Sequence, residues 1–125
     1  MLFRSEDCDF KTFTKEQLRQ PVEAFVADVS FASLLSLVTR AFTLLTPASR
    51  AAEGIVLFKP QFELPRAERE LLEKGILHDT QRAQGLIAEF EKSLATSGIR
   101  IAAREAAAIK GRKGNQEFVL HLVRD

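Results

Sequence analysis

The sequence predicts an α/β domain in which a mostly parallel sheet ends in one antiparallel strand and helices cover both faces. Short apolar runs alternate with longer stretches of helical periodicity, which is the order that builds parallel strand-helix-strand units. The last two apolar runs have no helix between them, so they are expected to pair as antiparallel neighbours. The chain has 125 residues, the length of one domain, and residues 1–125 are predicted to form a single domain.

The first predicted strand is Ala24–Val29, which is apolar except for Asp28. A helix from about Ala32 to Leu45 follows at once. Its apolar stripe consists of Leu34, Val38, Ala41 and Leu45. The second strand, Ile55–Phe58, is followed by Lys59. Ligands bind outside the carboxyl ends of the strands in open α/β sheets, so Asp28 and Lys59 are candidate site residues.

The second half of the chain is predicted to begin with a loop and a second long helix. Pro60 and Pro65 indicate a loop after the second strand, and residues 66–74 indicate a solvated helical turn. Asp79 is the expected N-cap of the long helix, and Gly98 its C-terminal residue in the left-handed region. The apolar stripe of this helix consists of Ala83, Leu86, Ile87, Phe90 and Leu94.

Two final strands complete the predicted sheet. Residues 99–106 are expected to form a less buried strand, and residues 117–123, which are almost continuously apolar, a central one. An antiparallel last strand begins at the edge of the sheet where the first two strands end. Glu117 is therefore expected to lie near Asp28 and Lys59. The three side chains could form a catalytic set or a buried ion-pair cluster.

Charge and histidine patterns limit the possible ligands. The net charge of +1 means that any basic surface must be local. One such loop contains Lys110, Arg112 and Lys113 among two glycines. Flexible backbone lets cations approach a phosphate, so these three residues are candidate phosphate contacts of a nucleic acid, and the alternative is a solvated loop. His78 and His121 have no ligand neighbours at metal spacing, so no metal site is predicted.

Cysteine content and hydropathy indicate the compartment. The single cysteine, Cys8, cannot form an internal disulfide, which favours a reducing compartment. Charged residues close to Met1 interrupt any signal-peptide pattern. The longest uncharged run, Val29–Thr39, is shorter than the roughly 20 residues that a membrane-spanning helix needs. We therefore expect a cytoplasmic protein without a membrane partner.

Four ordered segments closely resemble the C-terminal half of the catalytic domain in TlyA-type proteins of the hemolysin A family. These proteins are a branch of the FtsJ-like RNA ribose 2′-O-methyltransferases. The segments are Ala27–Phe31, Phe58–Glu63, Lys74–Asp79 and Lys110–Phe118. The resemblance runs from about Leu2 to the end of the chain. It implies a partial Rossmann-like methyltransferase fold, S-adenosylmethionine as methyl donor and ribosomal RNA as substrate.

The resemblance also implies roles for individual residues. The family's site uses a Lys-Asp-Lys-Glu set, in which Asp28, Lys59 and Glu117 match the last three members. Lys59 would be the base that accepts the proton of the 2′-hydroxyl, and the two carboxylates would position it and the hydroxyl. Asp9 resembles the polar residue that approaches the adenine of the cofactor.

The family's glycine-rich cofactor loop and first catalytic lysine have no counterpart in this sequence. Residues 1–125 are therefore expected to be a truncated domain that lacks the cofactor-binding half. We expect that the chain alone neither binds S-adenosylmethionine nor transfers methyl groups. The alternative is a non-enzymatic binding or assembly module. In that case the strand Ala24–Val29 would be an exposed sheet edge that pairs in a homodimer or with a polypeptide supplying the missing half.

Overall fold

The computed structural model describes residues 22–29, 33–45, 51–108, 110 and 114–124. These residues form a four-stranded sheet, a two-stranded hairpin and helices. The strands are β1 (Ala24–Ala27), β2 (Ala52–Phe58), β3 (Leu72–Glu73), β4 (Ile76–Leu77), β5 (Ile99–Ala106) and β6 (Phe118–Arg124). The α-helices are α1 (Leu34–Leu44), α2 (Pro60–Glu63) and α3 (Thr80–Ala95), and Arg66–Leu71 is a 3₁₀ helix.

The main sheet has the strand order β1-β2-β6-β5. β1 and β2 are parallel, and β6 is antiparallel to both of its neighbours. Three strands therefore run in one direction and the last strand of the chain runs against them, which confirms the predicted fold class. The carboxyl ends of β1 and β2 and the beginning of β6 lie at the same edge, which we call the site edge.

Both long helices lie on the same face of the sheet. They contact each other and share one hydrophobic core with β2 and β6. The core residues include Leu34, Val38, Phe42, Val56, Phe58, Ile87, Phe90, Leu94, Leu120 and Leu122. The connections from β1 to β2 and from β2 to β5 progress in the same direction across the sheet. Right-handed connections that run in the same direction across a sheet place their helices on the same face.

The opposite face of the sheet is open among the described residues. Val26 on this face is 81% exposed, and Ile55 and Val119 are each 38% exposed. The described residues therefore form one sheet layer and one helix layer. None of the helices in the described ranges is long and apolar enough to cross a membrane.

The ends of the long helices follow local sequence signals. The Ser33 side chain accepts a hydrogen bond from the Ser36 N–H at 3.4 Å at the start of α1. Asp79 caps α3 in the same way, since its Oδ1 accepts a hydrogen bond from the backbone N–H of Arg82 at 2.9 Å. After α3, Gly98 has a φ of +73°, a conformation that glycine adopts without steric cost. The predicted N-cap and the predicted C-terminal glycine of this helix are both observed.

Two short elements differ from the prediction for residues 60–77. The segment between Pro60 and Pro65 contains α2, a single turn, because proline suits the first position of a helix. The predicted helical turn is present as the 3₁₀ helix, but the chain then forms the β3–β4 hairpin. Its two turn residues, Lys74 and Gly75, have φ values of +53° and +84°.

Candidate active site at the strand ends

Asp28 and Lys59 form an ion pair at the site edge. Asp28 follows β1 and Lys59 follows β2, and the parallel register of the two strands brings their ends together. The Lys59 Nζ lies 2.6 Å from the Asp28 Oδ1. The lysine side chain is 12% exposed and the aspartate side chain 65% exposed. The ammonium group is therefore held at a largely covered position, with its carboxylate partner open to solvent.

Glu117 lies at the same edge, immediately before β6. The β2–β6 register pairs Phe58 with Phe118, so Lys59 and Glu117 occupy the next opposed positions. Glu117 is buried, and its Oε2 accepts a hydrogen bond from the Gln61 Nε2 at 2.9 Å. Among the described residues, this carboxylate thus takes its side-chain hydrogen bond from a neutral amide.

The segment 59–63 connects three parts of the molecule through alternate residues. Lys59 contacts Asp28, and Gln61 contacts Glu117. The Glu63 Oε1 accepts a hydrogen bond from the backbone N–H of Leu34 at 3.4 Å, at the first turn of α1. Burial raises the pKa of the Glu63 carboxyl, and that hydrogen bond lowers it by a smaller amount. This segment therefore fixes the site edge relative to α1.

Three polar residues before β6, Asn115, Gln116 and Glu117, form a second connection, which we call the 115–117 junction. The Asn115 amide accepts from the Leu77 N–H at 2.9 Å and donates to the Gly75 carbonyl at 3.0 Å. Gln116 donates to the Ala107 carbonyl at 3.1 Å, just after β5. With the Gln61–Glu117 hydrogen bond, the junction joins the hairpin, β5 and α2 at one place.

Sequence reasoning missed Gln61 and Asn115. Both are buried, at 9% and 5% exposure, and a buried polar side chain must find partners. Asn115 satisfies its oxygen and its nitrogen, whereas the Gln61 Oε1 is buried without a hydrogen-bond partner in the described part of the chain. The sequence feature that could have identified them is their location, since both residues lie within the segments that resemble TlyA-type proteins.

Several other sequence-predicted residues lie elsewhere or outside the described residues. Asp9, Arg112 and Lys113 are outside them, and Lys110 is exposed. The described residues contain no group of three side chains that could hold a metal ion. His121 faces Glu53 on the neighbouring strand, with 3.7 Å between its Nε2 and the Glu53 Oε2. Its place within β6 separates it from the site edge.

The side chains at the site edge are of the types that bind and deprotonate a hydroxyl group. A lysine nitrogen and a carboxylate held beside it can orient a hydroxyl, accept its proton and balance the charge that develops on its oxygen. A second, buried carboxylate across the edge adds a fixed hydrogen-bond acceptor. Such a set suits proton removal from an alcohol that attacks an electrophile.

Comparison with known proteins shows similarity over nearly the whole chain. No family model matches it. It is 32% identical over 121 residues to the 23S rRNA (cytidine-2′-O)-methyltransferase TlyA of Campylobacter jejuni, covering 96% of this chain and 44% of that protein. It is 28% identical to Hemolysin A of Brachyspira hyodysenteriae, covering 94% of this chain and 48% of that protein.

Solved structures agree with the fold. A "putative hemolysin" of Lactococcus lactis matches with a TM-score of 0.83 and 29% identity, covering 94% of this chain and 54% of that chain. A "putative hemolysin" of Streptococcus thermophilus, at 23% identity and a TM-score of 0.81, shows the fold alone. The chain spans about half the length, or less, of these relatives.

Proposed function

We propose that this chain, a partial TlyA-like domain, forms the substrate side of an RNA ribose 2′-O-methyltransferase site that acts on ribosomal RNA. The observation that carries the proposal is the 2.6 Å ion pair between Lys59 and Asp28 at the site edge, with Glu117 opposite. All three match the family's site residues in type and order. Activity on ribosomal RNA would place the protein in the cytoplasm.

The proposed reaction moves a methyl group to a ribose oxygen. S-adenosylmethionine supplies the methyl group as an electrophile bonded to sulfur. As the 2′-oxygen–carbon bond formed, the carbon–sulfur bond would break and the hydroxyl proton would have to leave. Lys59, in its neutral form, is the proposed acceptor of that proton. Asp28 holds the Lys59 nitrogen in place, and Glu117, itself held by Gln61, positions the hydroxyl.

A chimera tests this proposal. The matching 121-residue region of the Campylobacter jejuni TlyA is replaced by this chain, and 2′-O-methylation of ribosomal RNA is measured by mass spectrometry. We expect the chimera to be active and Lys59→Met to lower its kcat by about 100-fold or more. Lys92→Met removes a cation from the exposed last turn of α3 and should leave the rate unchanged. A folded chimera whose rate Lys59→Met does not reduce contradicts the proposal.

The cofactor is proposed to be bound by other parts of such an enzyme. The resemblance gives this chain Asp9 as its one cofactor contact and no glycine-rich loop. Isothermal titration of the isolated chain with millimolar S-adenosylmethionine should therefore give no saturable heat. One-to-one binding with micromolar affinity would show that residues of this chain form a cofactor site of their own.

A second candidate function is assembly through β1. Within the described residues β1 pairs with β2 alone, and a groove of about 430 Å³ lies along it. The groove is lined by β1 and α1, including Phe25, Val26, Leu37 and Ala41. An apolar strand edge is a template for pairing with another chain, and a second copy would give a two-fold dimer.

Ultracentrifugation at micromolar concentration tests the assembly function. We expect a dimer that Val26→Lys converts to a monomer, because a charge on an edge strand opposes pairing. Gln84→Lys, on the exposed surface of α3, is the matched control and should stay dimeric. A monomeric wild-type chain would exclude self-association through β1 and leave the methyltransferase proposal untouched.

A further inference from the structure

Lys74 has a backbone conformation that its side chain disfavours. It is the one non-glycine residue with positive φ in the described ranges, at +53°. It shares a two-residue hairpin turn with Gly75, and turns with positive φ at both positions favour glycine, asparagine or aspartate. Gly75 follows that preference and Lys74 does not. A local rule broken by an exposed residue points to a function of its side chain.

The hairpin that carries Lys74 is fixed at both ends. On one side, Asn115 holds the Gly75 carbonyl and the Leu77 N–H with its buried amide. On the other side, the 3₁₀ helix leading into β3 is tied to α3. The Arg82 guanidinium contacts both Glu68 carboxylate oxygens, at 2.7 and 2.9 Å. The turn therefore presents the Lys74 ammonium from a rigid support, which reduces the entropy lost when that ammonium binds a ligand.

The same contacts place Lys74 beside the site edge. It is covalently next to Gly75, which is 3.0 Å from Asn115, and Asn115 is two residues before Glu117. Asn115 also lies five residues after Lys110 in the sequence, and Lys110 is exposed. The exposed Lys74 is thus connected to Glu117, at the proposed reaction site, through Gly75 and Asn115.

We propose that Lys74 contacts a phosphate of the RNA substrate near the ribose that lies at Lys59. This inference rests on the proposed function, which makes the ligand a polyanionic strand that must lie across the site edge. A lysine ammonium is a compact cation suited to a phosphate oxygen, and phosphate contacts fix the register of a nucleic acid on a protein. Glycine would suit the backbone at this position better, but it could not make this contact.

The substitution Lys74→Gly tests the inference because it should move stability and RNA affinity in opposite directions. The probe is a fluorescently labelled fragment of 23S ribosomal RNA, titrated with the full chain at several salt concentrations. Removing the side chain relieves the positive φ, so the thermal unfolding midpoint should stay the same or rise. The affinity at low salt should fall by about threefold or more, and the slope of log affinity against log salt should decrease by about 0.7–0.9, as expected for one lost phosphate contact.

Lys92→Ala is the control, since it removes a charge from α3 and should change neither affinity nor slope. If wild type binds the RNA and Lys74→Gly binds with the same affinity and slope, the inference is wrong, and the methyl-transfer test of the chimera still decides the proposed function. If the wild-type chain shows no salt-dependent RNA binding, Lys74 is not a phosphate contact of this chain. Loss of affinity in Lys74→Gly together with a lowered unfolding midpoint would also overturn the inference, because the turn would then be structural.

Discussion

The two ends of the sheet differ in the polar side chains that are buried there. At the site edge, buried polar side chains hold one another, as in the Gln61–Glu117 pair and the Asn115 clamp on the hairpin. At the opposite end, aromatic rings fill the space between β1, β2 and α1. Phe25 and Phe42 meet edge to face at 5.1 Å between ring centroids. Aromatic packing is present at both ends, since the Phe58 and Phe90 ring centroids are 5.2 Å apart at the site edge, so the buried polar set is what distinguishes that edge.

The end of the sheet that contains Phe25 and Phe42, called the aromatic end, also contacts the C-terminal part of α1. The Arg124 Nη1 donates to the Phe42 carbonyl at 2.6 Å, and its guanidinium carbon lies 5.5 Å from the centre of the Phe42 ring. A cation near the C-terminal end of a helix is stabilising, and so is a guanidinium near an aromatic ring. At this end a guanidinium complements a helix terminus and a ring, and at the site edge the Gln61 amide complements the Glu117 carboxylate.

The largest effect is expected at Gly54, which tests how tightly the aromatic end is packed. The Phe25 ring lies over Gly54 on the neighbouring strand, and a Cβ there would come within 2.4 Å of the Phe25 Cζ. Gly54→Ala should lower the free energy of unfolding by about 2–3 kcal/mol, measured by chemical denaturation. Adding Phe25→Ala removes the clash, so the double variant should lose less than the sum of the single losses. Additive losses would mean that the ring can move aside.

Gln61→Leu makes the corresponding test of the site edge. It leaves the buried Glu117 carboxylate without its amide donor and should lower the free energy of unfolding by about 1–3 kcal/mol. The double variant Gln61→Leu/Glu117→Leu replaces both partners by apolar groups and should recover most of the loss. If the double variant remains destabilised, the two side chains contribute to stability through more than their hydrogen bond to each other.

This contrast also explains what the sequence predicts well. Asp28 and Lys59 follow apolar runs, and strand ends at one edge are fixed by chain direction, so their contact follows from topology. Gln61 and Asn115 could not be predicted in the same way, since a buried polar residue has no period that distinguishes it from an exposed one. A single turn such as α2 and two-residue strands such as β3 and β4 are too short to show periodicity.

The arrangement of layers depends on information that is not local. Alternation of strands and helices predicts the number of helical connections, but the face that each helix covers depends on the order of the strands in the sheet. Because β1 and β5 lie on opposite sides of β2, both helical connections run the same way across the sheet. The two final apolar runs, with no helix between them, predicted the antiparallel last strand, but no such local signal indicates which face of the sheet the long helices cover.

A smaller, pH-dependent effect is expected at Glu63, between the two ends. Its pKa is raised in the folded protein, chiefly by burial, so the folded state binds this proton more tightly than the unfolded state does. Ionised Glu63 therefore costs stability once the pH rises above the pKa of the unfolded chain. Glu63→Gln keeps an acceptor for the Leu34 N–H and should raise the free energy of unfolding at pH 7 relative to wild type, by less than the change expected at Gln61.

The test of Glu63→Gln compares chemical denaturation at pH 7 and pH 4. The gain should shrink at pH 4, where the wild-type carboxyl is largely protonated in the folded state. A gain of the same size at both pH values would assign it to packing. A loss at pH 7 would show that the charge–helix interaction with the first turn of α1 outweighs burial.

The smallest effect is expected for Gly85→Ala, which makes the same glycine-to-alanine change away from both ends of the sheet. Gly85 lies inside α3, and an added Cβ there would meet the Arg82 Nη1 at 3.4 Å, an ordinary van der Waals distance. Alanine favours the helix over glycine, so Gly85→Ala should raise the free energy of unfolding by about 0.5–1 kcal/mol. The sign is thus opposite to that of Gly54→Ala, because a ring covers one glycine and the flexible end of a side chain borders the other. If Gly85→Ala is destabilising, the Arg82 guanidinium, which Glu68 and Glu89 hold by hydrogen bonds, is too firmly placed to yield, and the variant Arg82→Ala should then restore the expected gain.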